Sequence, residues 1–436
     1  MNKKETKISK EIKMNKKSAR RNYSNQTGIT LIALVVTIVV LLILAGVTIN
    51  AVFSDSGIVK KAQDAQNKVN ESIQKDMEQI NALENWLNEN MGESNNDKEV
   101  NISTLVGKEA VTKNTKAVDT YGNKITIPKG FKVLEHNPTS STGAVTYNYT
   151  NSEETGEHIP AVQDGVVIEN GTDGNQFVWV PVGTIKNKDN TTNTITLGRY
   201  SSFTATNGVY TPVQVASVEN YTQAVKISNK YQELSTFRDG SKSDGSENAT
   251  ARDLKTFIEM SLANGGYYIA RYEASVDSSK IYSKYNQPVL TNIPQPEAAS
   301  LAREMYGEVK ENKELIYASD LVNSYAWDTA IIFIQTYSTE TDASSYASKN
   351  KSTSKANTGT NNDKYCNIWD MSGNACEWTT EYSTSSSSSV FYPCVYRGGY
   401  YYTAYGKANY YTSYRDGGGT TGSNSTYGLR PLLYVK

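Results

Sequence analysis

A long apolar run stands near the start of the chain. Residues 29–53, ITLIALVVTIVVLLILAGVTINAVF, include no charged side chain. A helix of about 20 apolar residues crosses the hydrocarbon core of a bilayer, so this run predicts a transmembrane helix. Lysines and arginines outnumber acids in residues 1–28. This imbalance predicts a cytoplasmic start and an outward-facing remainder.

A second apolar pattern follows at helical spacing. It recurs every three or four residues, at Ile58, Ala62, Ala65, Val69, Ile73, Met77, Ile80, Leu83 and Leu87. This spacing predicts one apolar stripe on an amphipathic helix. The stripe could pack on a globular head or pair with a second copy, and we favour packing on a head.

After an Asn-rich polar stretch at 90–99, shorter patterns indicate strands and then helices. Strands are predicted at 122–128, 165–168, 177–182 and 266–273, and helices at 251–262, 296–305 and 327–335. The Ser-rich stretch 383–389 and the Gly-rich stretch 417–422 are predicted to be exposed loops. This order of elements predicts an α+β fold.

The chain divides into four predicted parts. They are a leader at 1–28, a transmembrane and amphipathic helix at 29–92, a linker with a small β region at 93–170, and a globular domain at 171–436.

Composition argues against several functions. A net charge of −1 offers no broad basic field, so we expect no nucleic-acid partner. The three cysteines are too few for a disulfide scaffold, although a bridge from Cys376 to Cys394 or Cys366 stays open in an oxidising compartment. His136 and His158, the only histidines, lie in apparent loops away from other ligand-like residues.

The beginning of the apolar run resembles a type IV prepilin signal. Gly28 directly precedes Ile29, and the run continues Thr30-Leu31-Ile32. In that family a prepilin peptidase cleaves after the glycine and methylates the new terminus. The resemblance implies a mature chain that begins at Ile29, anchored in a bacterial cell membrane with its C-terminal domain at the cell surface.

Assembly with other pilin subunits is less well supported than processing. Ala33 stands where the family has a glutamate that is thought to pair with a neighbouring subunit's terminal amine. The wording MNKK occurs at both Met1 and Met14, which leaves two candidate start codons. An ordinary signal anchor that is never cleaved is the alternative.

Three blocks near the C-terminus carry a more specific resemblance. They read NIWDMSGNACEWTTE at 367–381, YRGGYYY at 396–402 and YGLRPLL at 427–433. They resemble blocks of the formylglycine-generating-enzyme, or sulfatase-modifying-factor, family, a variant of the C-type lectin fold. Earlier segments fit the same template in order, among them QFVWVPVG and GGYYIARYEAS. The resemblance implies a C-type-lectin-like fold for about 175–435.

The chemistry of that enzyme is not expected here. The family holds copper with two cysteines after RGG, since soft Cu(I) prefers thiolate ligands. Thr403 and Ala408 occupy those places, and no cysteine lies between Arg397 and Arg430. We therefore expect no enzyme activity, with a catalytically inactive relative of the enzyme as a remote alternative.

The resemblance also implies a structural calcium site and no other cofactor. Carried over residue by residue, its ligands are the side chains of Asp370 and Glu377 and the main-chain carbonyls of Gly373 and Ala375. Such hard oxygen ligands suit Ca²⁺. The alternative is a structural turn in which the two carboxylates accept main-chain N–H groups.

Residues 400–427 are rich in tyrosine and in small polar residues. Tyrosine supplies large rigid contact area while Ser, Gly and Asn supply adaptable hydrogen bonds, as in antibody paratopes. The layout resembles the variable proteins of diversity-generating retroelements. That resemblance implies variable ligand-binding positions, which are Tyr400, Tyr401, Tyr402, Ala404, Tyr405, Asn409, Tyr410, Tyr411 and Ser413. Its framework residues would be Arg397, Gly398, Gly399, Arg415, Arg430 and Pro431.

These features favour a surface-displayed, pilin-like adhesin or receptor whose Tyr-rich surface binds an extracellular protein or glycan. A structural minor pilin or pseudopilin without a specific ligand is the alternative. Under that alternative, the many tyrosines would belong only to an edge strand and exposed loops and would bind no ligand.

Overall fold

The computed structural model describes residues 36–40, 99–134, 161–203, 205–206, 209–210, 212–223, 225–235, 254–337, 354–361, 364–387, 390–401, 412–419 and 422–436. The chain forms two compact units, Met1–Ser94 and Asn95–Lys436. In the first unit the described residues 36–40 are helical. Gly28, Ile29 and the predicted stripe at 58–87 lie outside the described residues. Within the part of the chain that is described, no helix is long and apolar enough to cross a membrane.

The second unit is mostly β sheet. Its described strands, numbered in chain order, are β1 Val100–Asn101, β2 Thr115–Val118, β3 Lys124–Ile127, β4 Phe131–Val133, β5 Val167–Asn170, β6 Gln176–Pro181, β7 Gly183–Lys186, β8 Thr192–Ile195, β9 Arg199–Ser202, β10 Ala205–Thr206, β11 Val209–Tyr210, β12 Val213–Ala216, β13 Tyr231–Gln232, β14 Gly266–Ala270, β15 Ser275–Asp277, β16 Lys280–Tyr282, β17 Glu308–Glu311, β18 Glu314–Leu321, β19 Lys364–Tyr365, β20 Ile368–Trp369, β21 Cys376–Ser387, β22 Val390–Arg397, β23 Arg415–Gly418, β24 Tyr427–Leu429 and β25 Pro431–Val435.

The described residues of the second unit also form three α-helices and three short 3-10 helices. The α-helices are α1 Leu254–Asn264, α2 Gln295–Glu304 and α3 Ser324–Tyr337. The 3-10 helices are Ile102–Thr104, Val162–Asp164 and Val218–Asn220. All three α-helices lie where the apolar periodicity predicts them.

The largest described sheet has seven antiparallel strands in the order β17-β18-β25-β14-β6-β5-β4. Its central strands β6, β14 and β25 are buried along their whole length. Strands covered on both faces are apolar throughout, which is why the runs at 177–182 and 266–273 are dense rather than alternating. Helix α1 lies against β14 and β25.

The second large sheet carries the C-terminal motifs. Strands β13, β21, β22 and β23 pair in that order, and β24 pairs parallel to β21. Helix α2 packs on β18 and β21, and helix α3 contacts β6, β8, β9 and β21. Trp378 of β21 packs edge-on against Tyr396 of β22, with ring centroids 5.5 Å apart. The strands that carry the C-terminal motifs therefore pack through buried aromatic side chains.

The described part of the second unit is mostly β sheet with three α-helices, so the α+β prediction holds in part. Three other expectations from the sequence need correction. The boundary at residue 170 does not divide the structure, because β4 and β5, which precede it, join the same sheet as β6. The Ser-rich stretch 383–389 was predicted to be a loop, but β21 extends through it to Ser387 and pairs Ser383 with Tyr231 of β13.

The Gly-rich stretch 417–422 is also partly a strand. Gly417 and Gly418 belong to β23, and a Cβ added at Gly418 would lie 2.5 Å from the Trp378 ring. Glycine therefore stands there because the Trp378 indole occupies the space that a side chain would need.

Candidate functional site

The Tyr-rich segment is flanked by two arginines that the sheet places side by side. Strands β22 and β23 are antiparallel, and their register pairs Arg397 with Arg415. On its other side Arg397 pairs with Glu377 of β21. The segment between the two arginines therefore leaves the sheet and re-enters it at adjacent points.

Both arginines bind one carboxylate on α3. Arg397 Nη2 donates to Asp328 Oδ1 at 2.6 Å, and Arg415 Nη2 donates to Asp328 Oδ2 at 2.9 Å. The side chains of Arg397 and Asp328 are fully buried, and that of Arg415 is 7% exposed. Charge-assisted hydrogen bonds of this kind are short and directional, so the two flanks share one anchor.

A second buried carboxylate extends the network. Glu381 accepts from Arg199 Nη2 at 2.5 Å and from Arg415 Nε at 2.8 Å. Burial favours the protonated form of Glu381, but the neighbouring Arg415, Arg199 and Arg397 outweigh it and lower its pKa to about 2. Glu381 is therefore ionised at neutral pH.

A third buried carboxylate, Glu233, lies beside this network and accepts hydrogen bonds from neutral groups. It accepts from the main-chain N–H and the hydroxyl of Ser324 at 2.9 and 2.7 Å, and from the Thr380 hydroxyl at 2.8 Å. Burial raises its pKa above the ordinary value. Its bonds to Ser324 hold the first residue of α3 against β21.

Main-chain contacts fix both ends of the segment. On the N-terminal side Gly373 N–H donates to the Gly398 carbonyl at 2.6 Å, and Tyr401 N–H donates to the Asn374 carbonyl at 3.1 Å. On the C-terminal side Trp327 Nε1 donates to the Thr412 carbonyl at 2.9 Å. Arg397 Nε also donates to the Tyr414 carbonyl at 2.9 Å.

The nine predicted variable positions divide into two groups. Tyr400, Tyr401 and Ser413 are described and half-buried. Tyr402, Ala404, Tyr405, Asn409, Tyr410 and Tyr411 lie outside the described residues. The predicted framework residues Arg397, Gly398, Gly399, Arg430 and Pro431 are buried.

An aromatic cluster lies beside the segment. Tyr396 and Tyr427 have ring centroids 4.7 Å apart, and Trp378 lies 4.9 Å from Tyr427. Tyr414 joins at 6.1 Å from Tyr396. Tyr400, Tyr414 and Tyr427 are half-buried, so part of the cluster faces solvent.

The predicted calcium ligands are buried, and the carboxylates of Asp370 and Glu377 are close enough to act on each other electrostatically. Asp370 accepts from Gly359 N–H at 3.1 Å and from Asn361 Nδ2 at 2.9 Å, which matches the alternative of a structural turn. Glu377 Oε1 accepts from Arg430 Nη2 at 2.7 Å. Glu377 Oε2 is buried and has no hydrogen-bond partner among the described residues. One carboxylate oxygen is thus left for a cation or a proton.

A third carboxylate joins this pocket. Glu273 is buried, accepts from Ala375 N–H at 2.9 Å, and has its pKa raised well above the ordinary value by burial and by Asp370 and Glu377. Burial also raises the pKa of Glu377, to about 8. Oxygen ligands from several neighbouring carboxylates are the kind that a hard cation prefers.

The metal evidence has a second side. Across the described residues, no three or more His, Cys, Asp or Glu side chains are placed to hold a metal ion. The set implied by the resemblance is of a different kind, with two carboxylates and two main-chain carbonyls. The observation that fits it is Glu377 Oε2, which has no hydrogen-bond partner among the described residues although Glu377 Oε1 is paired with Arg430.

All three cysteines are free and buried, so the open alternative of a disulfide is not realised. Burial raises the pKa of Cys394 to about 12 and that of Cys376 well above its ordinary value. Buried, protonated thiols are poor nucleophiles and poor ligands.

The sequence did not single out the carboxylates Asp328, Glu381, Glu233 and Glu273, or Arg199. Asp328 is the one charged residue of α3. A lone charge in an apolar helix indicates a buried partner, and that signal would have identified Asp328.

No protein-family model and no curated protein matches the chain. The chain is similar to the solved structure of CarF, at 16% identity and a TM-score of 0.27, over 39% of this chain and 87% of CarF. It is similar to variable protein 1 of Treponema denticola at 11% identity and a TM-score of 0.29, over 60% and 96% of the two chains.

A third similar structure is the U1 variant of the Major Tropism Determinant, at 14% identity and a TM-score of 0.26, over 78% of this chain and 99% of that one. Variable proteins are the class that the sequence resemblance indicates. At this level of identity and TM-score the likeness carries no argument about family or function. These matches give no support to a prepilin-type N-terminus or to a formylglycine-generating activity.

Proposed function

We propose that this chain is a ligand-binding protein of the adhesin or receptor type, and that residues 400–413 form its recognition surface. The observation that carries the proposal is the shared anchor of the two flanks, Arg397 and Arg415, on Asp328. A frame that is buried and ion-paired can tolerate change in the residues it presents.

The composition of the presented residues supports binding rather than catalysis. Between Arg397 and Arg415 the chain carries seven tyrosines among small polar residues, with one lysine and no cysteine, histidine or acid. Tyrosine-rich, adaptable surfaces bind protein or glycan ligands. The histidine and carboxylates that most often serve as general bases, and the cysteines that copper chemistry needs, are missing from this stretch.

Surface display belongs to the proposal. The apolar run 29–53 would anchor the mature chain in the membrane after processing between Gly28 and Ile29, with the second unit outside. Mass spectrometry of the purified N-terminus tests this step. A methylated terminal Ile29 supports it, and an intact leader would indicate an uncleaved anchor.

Calcium is proposed as a structural ion in the pocket of Asp370 and Glu377. When bound it would supply positive charge to the carboxylate oxygen that lacks a hydrogen-bond partner. The three buried carboxylates would then be offset without protonation.

The binding proposal is tested with ligands selected on the full-length chain from a glycan array and a displayed peptide library. Tyr401→Ala with Tyr410→Ala removes two rings from the proposed surface. The matched control is Tyr282→Ala with Tyr285→Ala, which removes two half-buried rings elsewhere. The first pair should abolish binding, and the control should retain it.

Unfolding curves of both double variants show whether the domain is intact. Equal binding by both would contradict the proposed surface. Absence of any selected ligand would favour the structural minor pilin. Sequencing the DNA that encodes residues 400–427 in several isolates tests the retroelement resemblance, which requires adenine-specific differences in those codons.

A further inference from the structure

A second loop lies beside the Tyr-rich segment. It consists of residues 354–361, between α3 and β19. Asn357 and Thr360 are exposed, whereas Thr358 and Gly359 are buried. The second loop therefore has an inner side that packs on the domain and an outer side that faces solvent.

Asn374 joins the second loop to the Tyr-rich segment. Asn374 is buried, with 1% of its surface exposed. Its side-chain oxygen accepts from Ala356 N–H at 2.9 Å, and its main-chain carbonyl accepts from Tyr401 N–H at 3.1 Å. Ala356 and Tyr401 are only half-buried. The two segments therefore reach the surface next to each other, linked through a single residue.

Glu273 holds Asn374 in place. Asn374 Nδ2 donates to Glu273 Oε2 at 2.5 Å, and Glu273 Oε1 accepts from Ala375 N–H at 2.9 Å. Asn374 has a φ of +57°, a left-handed conformation that asparagine adopts more readily than most residues. Both its side chain and its main chain are thus fixed, which makes Asn374 a rigid link between Ala356 and Tyr401.

Further main-chain contacts fix the second loop. Thr358 N–H donates to the Gln287 carbonyl at 2.9 Å, and the Thr358 carbonyl accepts from Asn286 N–H at 2.7 Å. Gly359 N–H donates to Asp370 Oδ2 at 3.1 Å. A loop whose main chain is bonded in this way presents its exposed side chains in a constant arrangement.

The Tyr-rich segment by itself is small for a protein ligand. Residues 400–413 supply 14 positions, whereas a stable protein interface takes about 20–30 residues from each partner. The eight residues of the second loop bring the total into this range. Its exposed asparagine and threonine are polar residues of the kind that accompany tyrosine in adaptable binding surfaces.

We infer that residues 354–361 form a second, constant part of the recognition surface, and that a protein ligand bound to residues 400–413 also contacts Asn357. The inference rests on the proposed function, because the second loop shares the ligand of the Tyr-rich segment. It narrows that ligand to a protein, since a short glycan covers less area than the two segments offer together.

The test begins with ligands selected on the full-length chain from a library of displayed protein domains and from a glycan array. Ligands that Tyr401→Ala with Tyr410→Ala no longer binds are kept. Asn357→Arg places a long charged side chain beside Ala356. It should weaken binding of the kept protein domains by about tenfold, which corresponds to about 1.4 kcal/mol. The matched control, Thr194→Arg at an exposed position of β8, should leave the Kd unchanged.

Asn357→Ala is a milder variant, which removes the side chain without adding bulk. It should weaken binding by about two- to fivefold, as expected for a contact outside an interface hot spot. The Asn357 side chain is exposed, and its one bond is to Asn286 Oδ1. Unfolding curves of both Asn357 variants should therefore stay close to that of wild type, and Asn357→Ala decides the test if Asn357→Arg does not fold.

Three results would overturn the inference and leave the proposed function in place. The first is full affinity in both Asn357 variants. The second is equal weakening by Thr194→Arg, because the effect would then be one of net charge. The third is selection of Tyr-dependent glycans with no Tyr-dependent protein domain. A complete absence of Tyr-dependent ligands would instead contradict the proposed function itself.

Discussion

Asp328 and Arg415 form a buried ion pair of 2.9 Å between residues 87 positions apart in sequence. The other oxygen of the same carboxylate binds Arg397 at 2.6 Å. One helix side chain therefore joins the two ends of the Tyr-rich segment, which the pairing of β22 with β23 already places side by side. The proposed recognition surface depends on this pair for its geometry.

Asp328→Asn should destabilise the domain by about 3–5 kcal/mol, because it leaves two buried guanidinium groups short of negative charge. Urea unfolding of the full-length chain measures the change. The matched control is Glu311→Gln, which breaks the exposed pair of Lys129 and Glu311 and should cost less than about 1 kcal/mol. Equal effects of the two changes would show that the Asp328 pairs add little.

The low pKa of Glu381 predicts acid sensitivity. Its ordinary value is 4.5 and its pKa in the folded chain is about 2, because three arginines outweigh the effect of burial. The unfolded chain therefore binds this proton first as the pH falls. Stability from Glu381 should be complete above about pH 4.5 and should decline as the pH falls towards 2.

Urea midpoints between pH 2 and pH 7 measure this decline, with Glu381→Gln as the comparison. The variant should be less stable at neutral pH and should show a shallower loss in acid. An unchanged slope would mean that other carboxylates cause the acid sensitivity.

A comparison of alanine substitutions at Gly398 and Gly130 separates the cost of backbone strain from the cost of close packing. Both have φ of +84°, a left-handed conformation that alanine adopts at a cost of about 1–2 kcal/mol. A Cβ at Gly130 would meet nothing within 4 Å, whereas one at Gly398 would lie 2.8 Å from Glu377 Oε2. Gly398→Ala should therefore destabilise the domain more than Gly130→Ala in thermal or urea unfolding. Equal losses would mean that the Glu377 side chain moves freely.

Calcium should stabilise the folded domain if Glu377 is a ligand, since an ion that binds only the native state raises the free energy of unfolding. Thermal unfolding with excess Ca²⁺ and with chelator measures the shift. Asp277→Asn should keep the calcium-dependent shift, and Glu377→Gln should lose it. A thermal unfolding midpoint of the wild-type chain that is the same with Ca²⁺ and with chelator would exclude a structural calcium ion at Asp370 and Glu377.

Local sequence patterns predicted the helices and the central strands well. Helix α3 and strand β6 are identified by apolar runs whose cause is burial of their own side chains. The Ser-rich end of β21 escaped prediction because its strand conformation comes from pairing with β13 and β22, not from β propensity. Tertiary pairing decided the conformation there.

The site was predictable only in part. The RGG and GLR wording pointed to Arg397 and Arg430 as framework. Arg397 pairs with Asp328, 69 residues away in sequence, and Arg430 pairs with Glu377, 53 residues away. No local sequence pattern predicts pairs at such separations.

The most direct test of the recognition surface replaces residues 402–411 with a Gly/Ser sequence of equal length in the full-length chain. Because the anchoring contacts involve Arg397, Thr412, Tyr414 and Arg415, the urea midpoint should stay close to that of wild type. Binding of ligands selected on the wild-type chain should be lost. Retention of that binding by a folded replacement variant would contradict the account.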